Sequence, residues 1–198
     1  MNMHNIYLTG LFLATAILFS CNKDKGLPAP APTYYFDSKV NSKSLLYEDS
    51  LKGILNTAEK TGIDFGTYTL IKESSIFSGT SIITGVAVNT IISHYMKGCT
   101  RDTAFIDSMF TVKSYSFTNS LQNEGIEISW YDGTQMWSSS NGTADQTGSS
   151  FKIVKHEYVG KPDHRYISSG NFNCKIYSAD GNVKFMTGNF KVKTNEIN

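Results

Sequence analysis

Strict alternation of apolar and polar residues near the C-terminus is the feature that most restricts how this chain folds. Between residues 166 and 177 the even-numbered positions include Phe172, Cys174 and Ile176, whereas Ser, Asn and Lys occupy most odd-numbered positions. Successive side chains of a β-strand point to opposite faces, so a period of two predicts a strand with one buried and one solvated face. We therefore expect a half-buried sheet at this end of the chain.

A partner strand for this segment follows directly. Residues 178–182 supply a turn, because glycine and asparagine tolerate positive φ, and residues 183–193 return as the second strand of a hairpin. Apolar residues change parity along that strand, from Phe185 near its start to Phe190 near its end. A β-bulge near residues 187–188 would bring both onto one face, and we predict it there.

A second hairpin is predicted around the two tryptophans. Ile128 and Trp130 alternate with polar residues, and the Asp-Gly pair at 132–133 is a strong signal for a two-residue turn. This register places Trp137 opposite Ile128 and puts Trp130 and Trp137 diagonally across one face. Because an apolar strand face is usually buried, both tryptophans are predicted to belong to the core.

The rest of the chain has the composition of an all-β domain. Tyr, Phe, Thr, Ile and Val are plentiful, and Gly, Asn, Asp and Ser recur between them as turn formers. One helix fits residues 50–60 by apolar spacing, although Gly53 weakens it and a strand fits nearly as well. Further strands are predicted at residues 34–40, 66–72, 80–94, 110–117 and 151–158. The predicted fold is a single antiparallel β-sandwich or barrel-like domain of about eight to ten strands, with at most one short helix.

The N-terminal residues indicate export from the cytoplasm. Residues 6–19 are almost wholly apolar, yet they fall short of the roughly 20 residues that a spanning helix needs. We therefore predict that residues 1–20 are a signal peptide. The segment ends in Leu18-Phe19-Ser20-Cys21, which resembles the lipobox of bacterial lipoproteins, where the cysteine receives acyl chains such as palmitate and cleavage occurs just before it. Two alternatives stay open: an ordinary cysteine after an ordinary signal peptide, and an uncleaved anchor helix.

Residues 21–32 join the predicted lipid anchor to the folded part. Alternate prolines favour an extended polyproline II spacer, and two or more acyl chains on Cys21 would hold stably to a bilayer. Residues 33–198 are long enough for one all-β domain with its own core. The predicted location is the outer membrane or the cell surface, with the periplasmic face as an alternative.

The C-terminal half also resembles a group of small all-β lipoproteins of the Bacteroidota. The resemblance rests on the following segments: 125–133, 137–139, 148–151, Gly170-Asn171-Phe172 and Gly188-Asn189-Phe190. Those proteins share a lipobox, a short spacer and a terminal hairpin with a Gly-x-Phe on each strand. The resemblance implies an envelope address and a fold, but no activity is attached to the group. Each Gly-x-Phe also fits a place where a phenylalanine ring covers a glycine.

Cys99 and Cys174 remain as a pair once Cys21 is assigned to lipid. An oxidising compartment permits a disulfide between them, and Cys99–Cys174 is a candidate bond. The alternative is a core thiol at Cys174, on the apolar face of its strand, and a separate loop thiol at Cys99. Two cysteines without a histidine cluster do not make a zinc site, so no metal is expected.

No motif in the chain dictates a reaction or a cofactor. The sequence contains no Gly-x-Ser-x-Gly elbow, His-Glu-x-x-His helix, phosphate-binding glycine loop or calcium loop. His94, His156 and His164 are more typical of core, strand and turn positions than of ligands. The 18 Lys and Arg residues nearly balance the 17 Asp and Glu residues, which argues against a nucleic-acid partner. We therefore expect no enzyme activity and no cofactor.

The strongest candidate for ligand binding is the region around the tryptophans and the loop after them. Residues 138–150 form a long connection, and loops beyond about 12 residues are often functional. Faces of Trp130 and Trp137 beside Asn141 and Asp145 could stack on and hydrogen-bond a sugar. The expected function is that of a non-enzymatic, membrane-anchored cell-envelope lipoprotein with an interaction or structural role and a protein or glycan partner. The alternative is small-ligand or carbohydrate binding by the β-domain.

Overall fold

Strands form nearly all the regular structure in the computed structural model, which describes residues 34–49, 55–80, 87–98, 103–119, 123–159 and 165–196. These residues belong to one compact unit, Pro32–Asn198. The elements are β1 (Tyr35–Val40), β2 (Lys43–Glu48), β3 (Leu55–Asp64), β4 (Thr69–Thr80), β5 (Ala87–Lys97), α1 (Thr103–Asp107), β6 (Ser114–Tyr115), β7 (Gly125–Tyr131), β8 (Met136–Ser138), β9 (Ser150–Val159), β10 (Arg165–Tyr177) and β11 (Val183–Glu196). The prediction of an all-β, barrel-like domain is confirmed.

The strands make one antiparallel sheet that curls into a half-barrel. Its order is β2-β1-β11-β10-β8-β7-β5-β4-β3, with β9 and β6 attached to the side of β10. Strand β10 pairs with β9 up to Asn173↔Ser150, and it pairs with β8 only at Tyr177↔Ser138. On this side of β10, Lys175 therefore lies in the gap between the last residue paired with β9 and the residue paired with β8.

Buried polar side chains connect the far strand of the sheet, β3, to β11. The amide N–H of Lys193 donates to Asn56 Oδ1 at 2.7 Å, and Asn56 Nδ2 donates to Ser75 Oγ at 2.9 Å. The ammonium of Lys193 also lies 3.8 Å from the carboxylate of Asp49. Backbone donors that are shielded from water need acceptors. Asn56 therefore supplies the acceptor that a neighbouring strand would otherwise offer to the N–H of Lys193.

Stacked phenylalanines fill the middle of the half-barrel. Ring centroids lie 5.2 Å apart for Phe36 and Phe172 and 5.0 Å apart for Phe151 and Phe190. All four side chains are buried. Burying one such side chain is worth about 1.5 to 3 kcal/mol, so this cluster is a principal source of stability.

The cross-strand register explains the two Gly-x-Phe segments. Gly170 faces Phe190 across the β10–β11 pair, and Phe172 faces Gly188, so that each ring lies opposite a glycine. A Cβ atom at Gly170 would clash with the carbonyl oxygen of Lys152 and lie 2.8 Å from Cζ of Phe190. The absence of a side chain at these glycines lets neighbouring strands and rings approach closely.

The predicted bulge near residues 187–188 is wrong. The β10–β11 register runs without a shift from Tyr177↔Val183 to Tyr166↔Thr194, and the irregularity lies at the far end, at residues 165–166. The apolar residues change parity along β11 because Val183 and Phe185 lie on the outer face, where they are 46% and 59% exposed.

The helix considered for residues 50–60 is also not observed. Residues 55–60 belong to β3 and pair with β4, while residues 50–54 lie outside the described residues. Pairing along the whole β3–β4 ladder outweighs the weak tendency of this segment to form a helix, a tendency that Gly53 lowers further. Within the described part of the chain, the helix is α1, at Thr103–Asp107.

Several strand boundaries differ from those expected. The strand predicted at 66–72 lies at Thr69–Thr80, and that predicted at 80–94 lies at Ala87–Lys97, with residues 81–86 not described. Residues 110–117 contain only the short β6 and a bridge from Phe117 to Ile126.

Candidate functional site

The two tryptophans face each other directly, and the expected register is wrong. Trp130 pairs with Trp137, not Ile128 with Trp137, because four residues and not two connect β7 to β8. The carboxylate of Asp132 accepts hydrogen bonds from the backbone N–H groups of Thr134 at 2.9 Å and Gln135 at 3.0 Å. Such side-chain capture of backbone groups stabilises a longer turn.

Trp130 and Trp137 belong to the core, as the apolar face predicts, with exposed fractions of 5% and 3%. The indole N–H of Trp137 donates to Asp132 Oδ2 at 2.7 Å, and that of Trp130 donates to the Tyr47 hydroxyl at 3.0 Å. The ammonium of Lys184 lies 3.6 Å from the centre of the Trp137 ring. Because both side chains are almost fully buried and both indole N–H groups have partners inside the protein, the tryptophans do not form a ligand surface.

The connection after β8, residues 139–149, is called the polar loop below. Its central residue is Gln146, whose amide occupies the gap on β10 between β9 and β8. The N–H of Lys175 donates to Gln146 Oε1 at 3.1 Å, and Gln146 Nε2 donates to the carbonyl oxygen of Lys175 at 2.7 Å. One side-chain amide therefore satisfies the two backbone groups that none of the described strands pairs on this side of β10.

Asn141 and Asp145 also attach the polar loop to β10. Asn141 Nδ2 donates to the carbonyl oxygen of Tyr177 at 3.4 Å, and the Tyr177 hydroxyl donates to the carbonyl oxygen of Asp145 at 2.7 Å. The carboxylate of Asp145 forms an ion pair with Lys175 at 2.5 Å. Hydrogen bonds from Lys175 and Thr147 hold the pKa of Asp145 well below its ordinary value.

A small cleft of about 110 Å³ lies between this loop and β11. Its lining residues are Thr147, Gly148, Ser149, Asn173, Cys174, Lys175, Phe185, Met186 and Thr187. Phe185 is the cross-strand neighbour of Lys175 and is 59% exposed. The structure thus brings Asp145 and its loop together with an aromatic ring, but that ring is Phe185 and not a tryptophan. The sequence signal for Phe185 was its parity, which is opposite to that of the buried Phe190.

A carboxylate is buried on β7, away from this cleft. Glu127 Oε1 accepts hydrogen bonds from the hydroxyls of Ser129, Ser138 and Ser140, and Oε2 accepts one from Tyr95 at 2.8 Å. Desolvation acts to raise the pKa of Glu127, but these four hydrogen bonds hold it below its ordinary value. The cluster links β5, β7 and β8, and sequence spacing alone could not have revealed it.

A serine and a histidine meet on neighbouring strands. His156 Nδ1 lies 2.8 Å from Ser168 Oγ, which in turn lies 2.9 Å from Thr194 Oγ1. The ring of His156 stacks on Tyr166 with centroids 4.6 Å apart. Because Ser168 is fully buried, its hydroxyl cannot reach a substrate, and the cluster ties β9, β10 and β11 together. His164 lies outside the described residues.

His94 is enclosed in the core of the half-barrel. Its ring meets the edges of Phe110 and Tyr115, with centroid distances of 5.5 Å and 4.8 Å. Burial lowers the pKa of His94 to about 4, although a hydrogen bond with the backbone of Met109 acts in the opposite direction and Lys113 adds to the lowering. The folded protein therefore holds His94 neutral.

Replacing His94 with phenylalanine is expected to make the free energy of unfolding less sensitive to acid. An unfolded histidine takes up a proton near pH 6.5, whereas folded His94 does so only near pH 4, so stability falls as the pH drops through that interval. Between pH 7 and pH 4, the protonation of His94 in the unfolded chain is expected to lower the free energy of unfolding by roughly 3 kcal/mol. The variant His94→Phe should remove most of this decrease. Urea unfolding at pH 7 and pH 4 measures the difference.

His156 offers a matched control, because burial lowers its pKa as well, but it is only half-buried whereas His94 is almost fully buried. The variant His156→Gln should retain most of the acid sensitivity of the wild type. Equal acid responses of the wild type and His94→Phe would contradict the role given to His94.

One member of the candidate disulfide, Cys174, lies in the described part of the chain. Cys174 is a free, buried cysteine, and burial raises the pKa of its thiol. It lies on the inner face of β10 opposite Met186, so its sulfur packs in the core. Cys99 and the lipobox Cys21 both lie outside the described residues.

Comparison of the chain with family models, with curated proteins and with solved structures finds no match. Among the residues that the structure describes, no group of three or more metal-binding side chains is found. No helix in that same part of the chain has the length and apolar character needed to cross a bilayer. The candidate site therefore rests on its own geometry.

Proposed function

We propose that this chain is a lipid-anchored cell-envelope protein that acts by binding and not by catalysis. Acyl chains on Cys21 hold it to the outer membrane, and residues 22–32 space the β-domain from the bilayer. Support for the anchor comes from the lipobox-like residues 18–21 and from the alternating prolines that follow them.

The observation that supports a binding role is the rigid attachment of the polar loop beside an exposed aromatic ring. Gln146 fixes the loop to β10 through both backbone groups of Lys175, and Phe185 lies exposed beside that residue. Loops that carry binding residues are commonly held by a rigid scaffold, which lowers the entropic cost of association. The aromatic core fills the middle of the half-barrel, so this outer cleft is the better place for a ligand.

A protein partner is the second candidate, and the edge of the sheet favours it. In the described part of the chain β2 pairs only with β1, and Leu46 on β2 is 55% exposed. Edge strands with exposed apolar residues can add a strand from another chain. Binding that depends on Leu46 and not on Phe185 would identify this second mode.

The anchor is tested by labelling cells that express the full chain with a palmitate analogue. The wild type is expected to carry the label and to sediment with membranes, whereas Cys21→Ala should lose both properties because no other acceptor is proposed. Cys99→Ala is the matched cysteine control and should keep the label. Labelling of Cys21→Ala at the wild-type level would refute the anchor.

A further inference from the structure

We infer that the cleft between the polar loop and β11 binds a neutral saccharide, with one sugar ring stacked on Phe185. This inference rests on the proposed binding function and names its ligand class. It draws on three features of the cleft: an exposed aromatic face, neutral polar side chains in its lining, and a volume too small to enclose more than about one ring.

The backbone of Phe185 is hydrogen-bonded to Asn41. Its N–H donates to Asn41 Oδ1 at 2.9 Å, and its carbonyl oxygen accepts a hydrogen bond from the N–H of Asn41 at 3.0 Å. Strand β11 is an inner strand, with β1 on one side and β10 on the other. The face of an aromatic ring is electron-rich, and it attracts the C–H groups on one face of a pyranose. An exposed phenylalanine ring on a hydrogen-bonded inner strand therefore favours a flat ligand with an apolar face.

Neutral polar side chains line the cleft beside this ring. Asn173 and Thr187 face each other across β10 and β11, and both are exposed, so they can exchange hydrogen bonds with sugar hydroxyls. The one ammonium in the lining, Lys175, is already paired with Asp145 at 2.5 Å. These two charges cancel and the other lining side chains are neutral, so the lining itself favours a neutral ligand over a phosphorylated or sulfated one. A further cation, the exposed Lys39 opposite Thr187 on β1, lies outside the lining.

The volume of the cleft limits how much of a ligand it holds. At about 110 Å³ it is smaller than the roughly 300 to 1,000 Å³ of pockets that enclose drug-sized ligands. A cleft of this size can hold no more than about one sugar ring of a longer glycan, with neighbouring rings outside. The hydrogen bonds of Gln146 hold the loop in place before the ligand arrives.

The test is a glycan array of neutral and acidic oligosaccharides, probed with the full acylated chain in detergent micelles and followed by calorimetric titration of each neutral glycan retained. The wild type should retain at least one neutral glycan. Phe185→Ala should weaken that binding by about tenfold or more, whereas Phe185→Tyr, which keeps an aromatic face, should stay within about threefold. Val183→Ala is the matched control, because Val183 is 46% exposed on the same strand and does not line the cleft.

The inference is overturned if no neutral glycan is retained, if only acidic glycans bind, or if Phe185→Ala binds as tightly as Val183→Ala. Palmitate labelling of the same preparation separates this failure from failure of the anchor. A labelled chain that binds no neutral glycan refutes the saccharide site alone. A chain that binds a glycan but carries no label on Cys21 refutes the anchor alone.

Discussion

Replacing Glu127 with alanine is expected to lower the free energy of unfolding by about 3 kcal/mol or more. The substitution removes the carboxylate that accepts hydrogen bonds from the buried hydroxyls of Tyr95 and Ser138 and from the partly buried hydroxyls of Ser129 and Ser140. Each buried polar group without a partner carries a desolvation penalty, and the removed side chain leaves a cavity as well. Three strands lose a common attachment, so we expect this effect to be among the largest of any single substitution.

Urea unfolding at neutral pH measures this change. Glu127→Gln keeps one carbonyl acceptor and should be less damaging than Glu127→Ala. Glu157→Ala is the matched control, since the side chain of Glu157 is 50% exposed and its pairing with Lys155 is at the surface. That control should change the free energy of unfolding by at most about 0.5 kcal/mol. A Glu127→Ala variant as stable as this control would contradict the structural role of the cluster.

Adding one methyl group at Gly170 is expected to destabilise the protein by about 3 kcal/mol. The new Cβ would collide with the carbonyl oxygen of Lys152 on β9 and press on the ring of Phe190 on β11. Backbone cannot move aside as the end of a flexible side chain can. Strand β9 must therefore shift away from β10, which weakens the ladder and the phenylalanine stack together.

Thermal unfolding of Gly170→Ala measures the effect, and Asn171→Ala supplies the control. Asn171 is the next residue on the same strand and points to solvent, so its truncation should change stability by at most about 0.5 kcal/mol. A Gly170→Ala variant with wild-type stability would show that the β9–β10 contact is looser than described.

Local periodicity was sufficient to predict the parts of the fold in which one face is buried. The hairpin of β10 and β11 lies where the alternation of Phe172, Cys174 and Ile176 placed it, and these residues are buried. The burial of Trp130 and Trp137 followed from the same reasoning, since they share a face with buried isoleucines. These predictions succeed because side-chain direction along a strand is set by the backbone itself.

What escaped prediction depends on contacts between distant residues. The register at the tryptophans depends on the carboxylate of Asp132 capturing turn N–H groups, which the Asp-Gly pair alone does not specify. Gln146 gains its role only because β8 and β9 leave a gap beside Lys175. The predicted bulge near residues 187–188 would place Phe185 in the core. Its parity along β11, opposite to that of the buried Phe190, indicates instead that it faces solvent.

Mass spectrometry of the mature protein extracted from membranes tests the lipid anchor, on which the proposed function depends, most directly. The account predicts that the N-terminal peptide begins at Cys21, lacks residues 1–20 and carries acyl chains on its first residue. An N-terminal peptide that retains residues 1–20, or that begins with an unmodified Cys21, would contradict it.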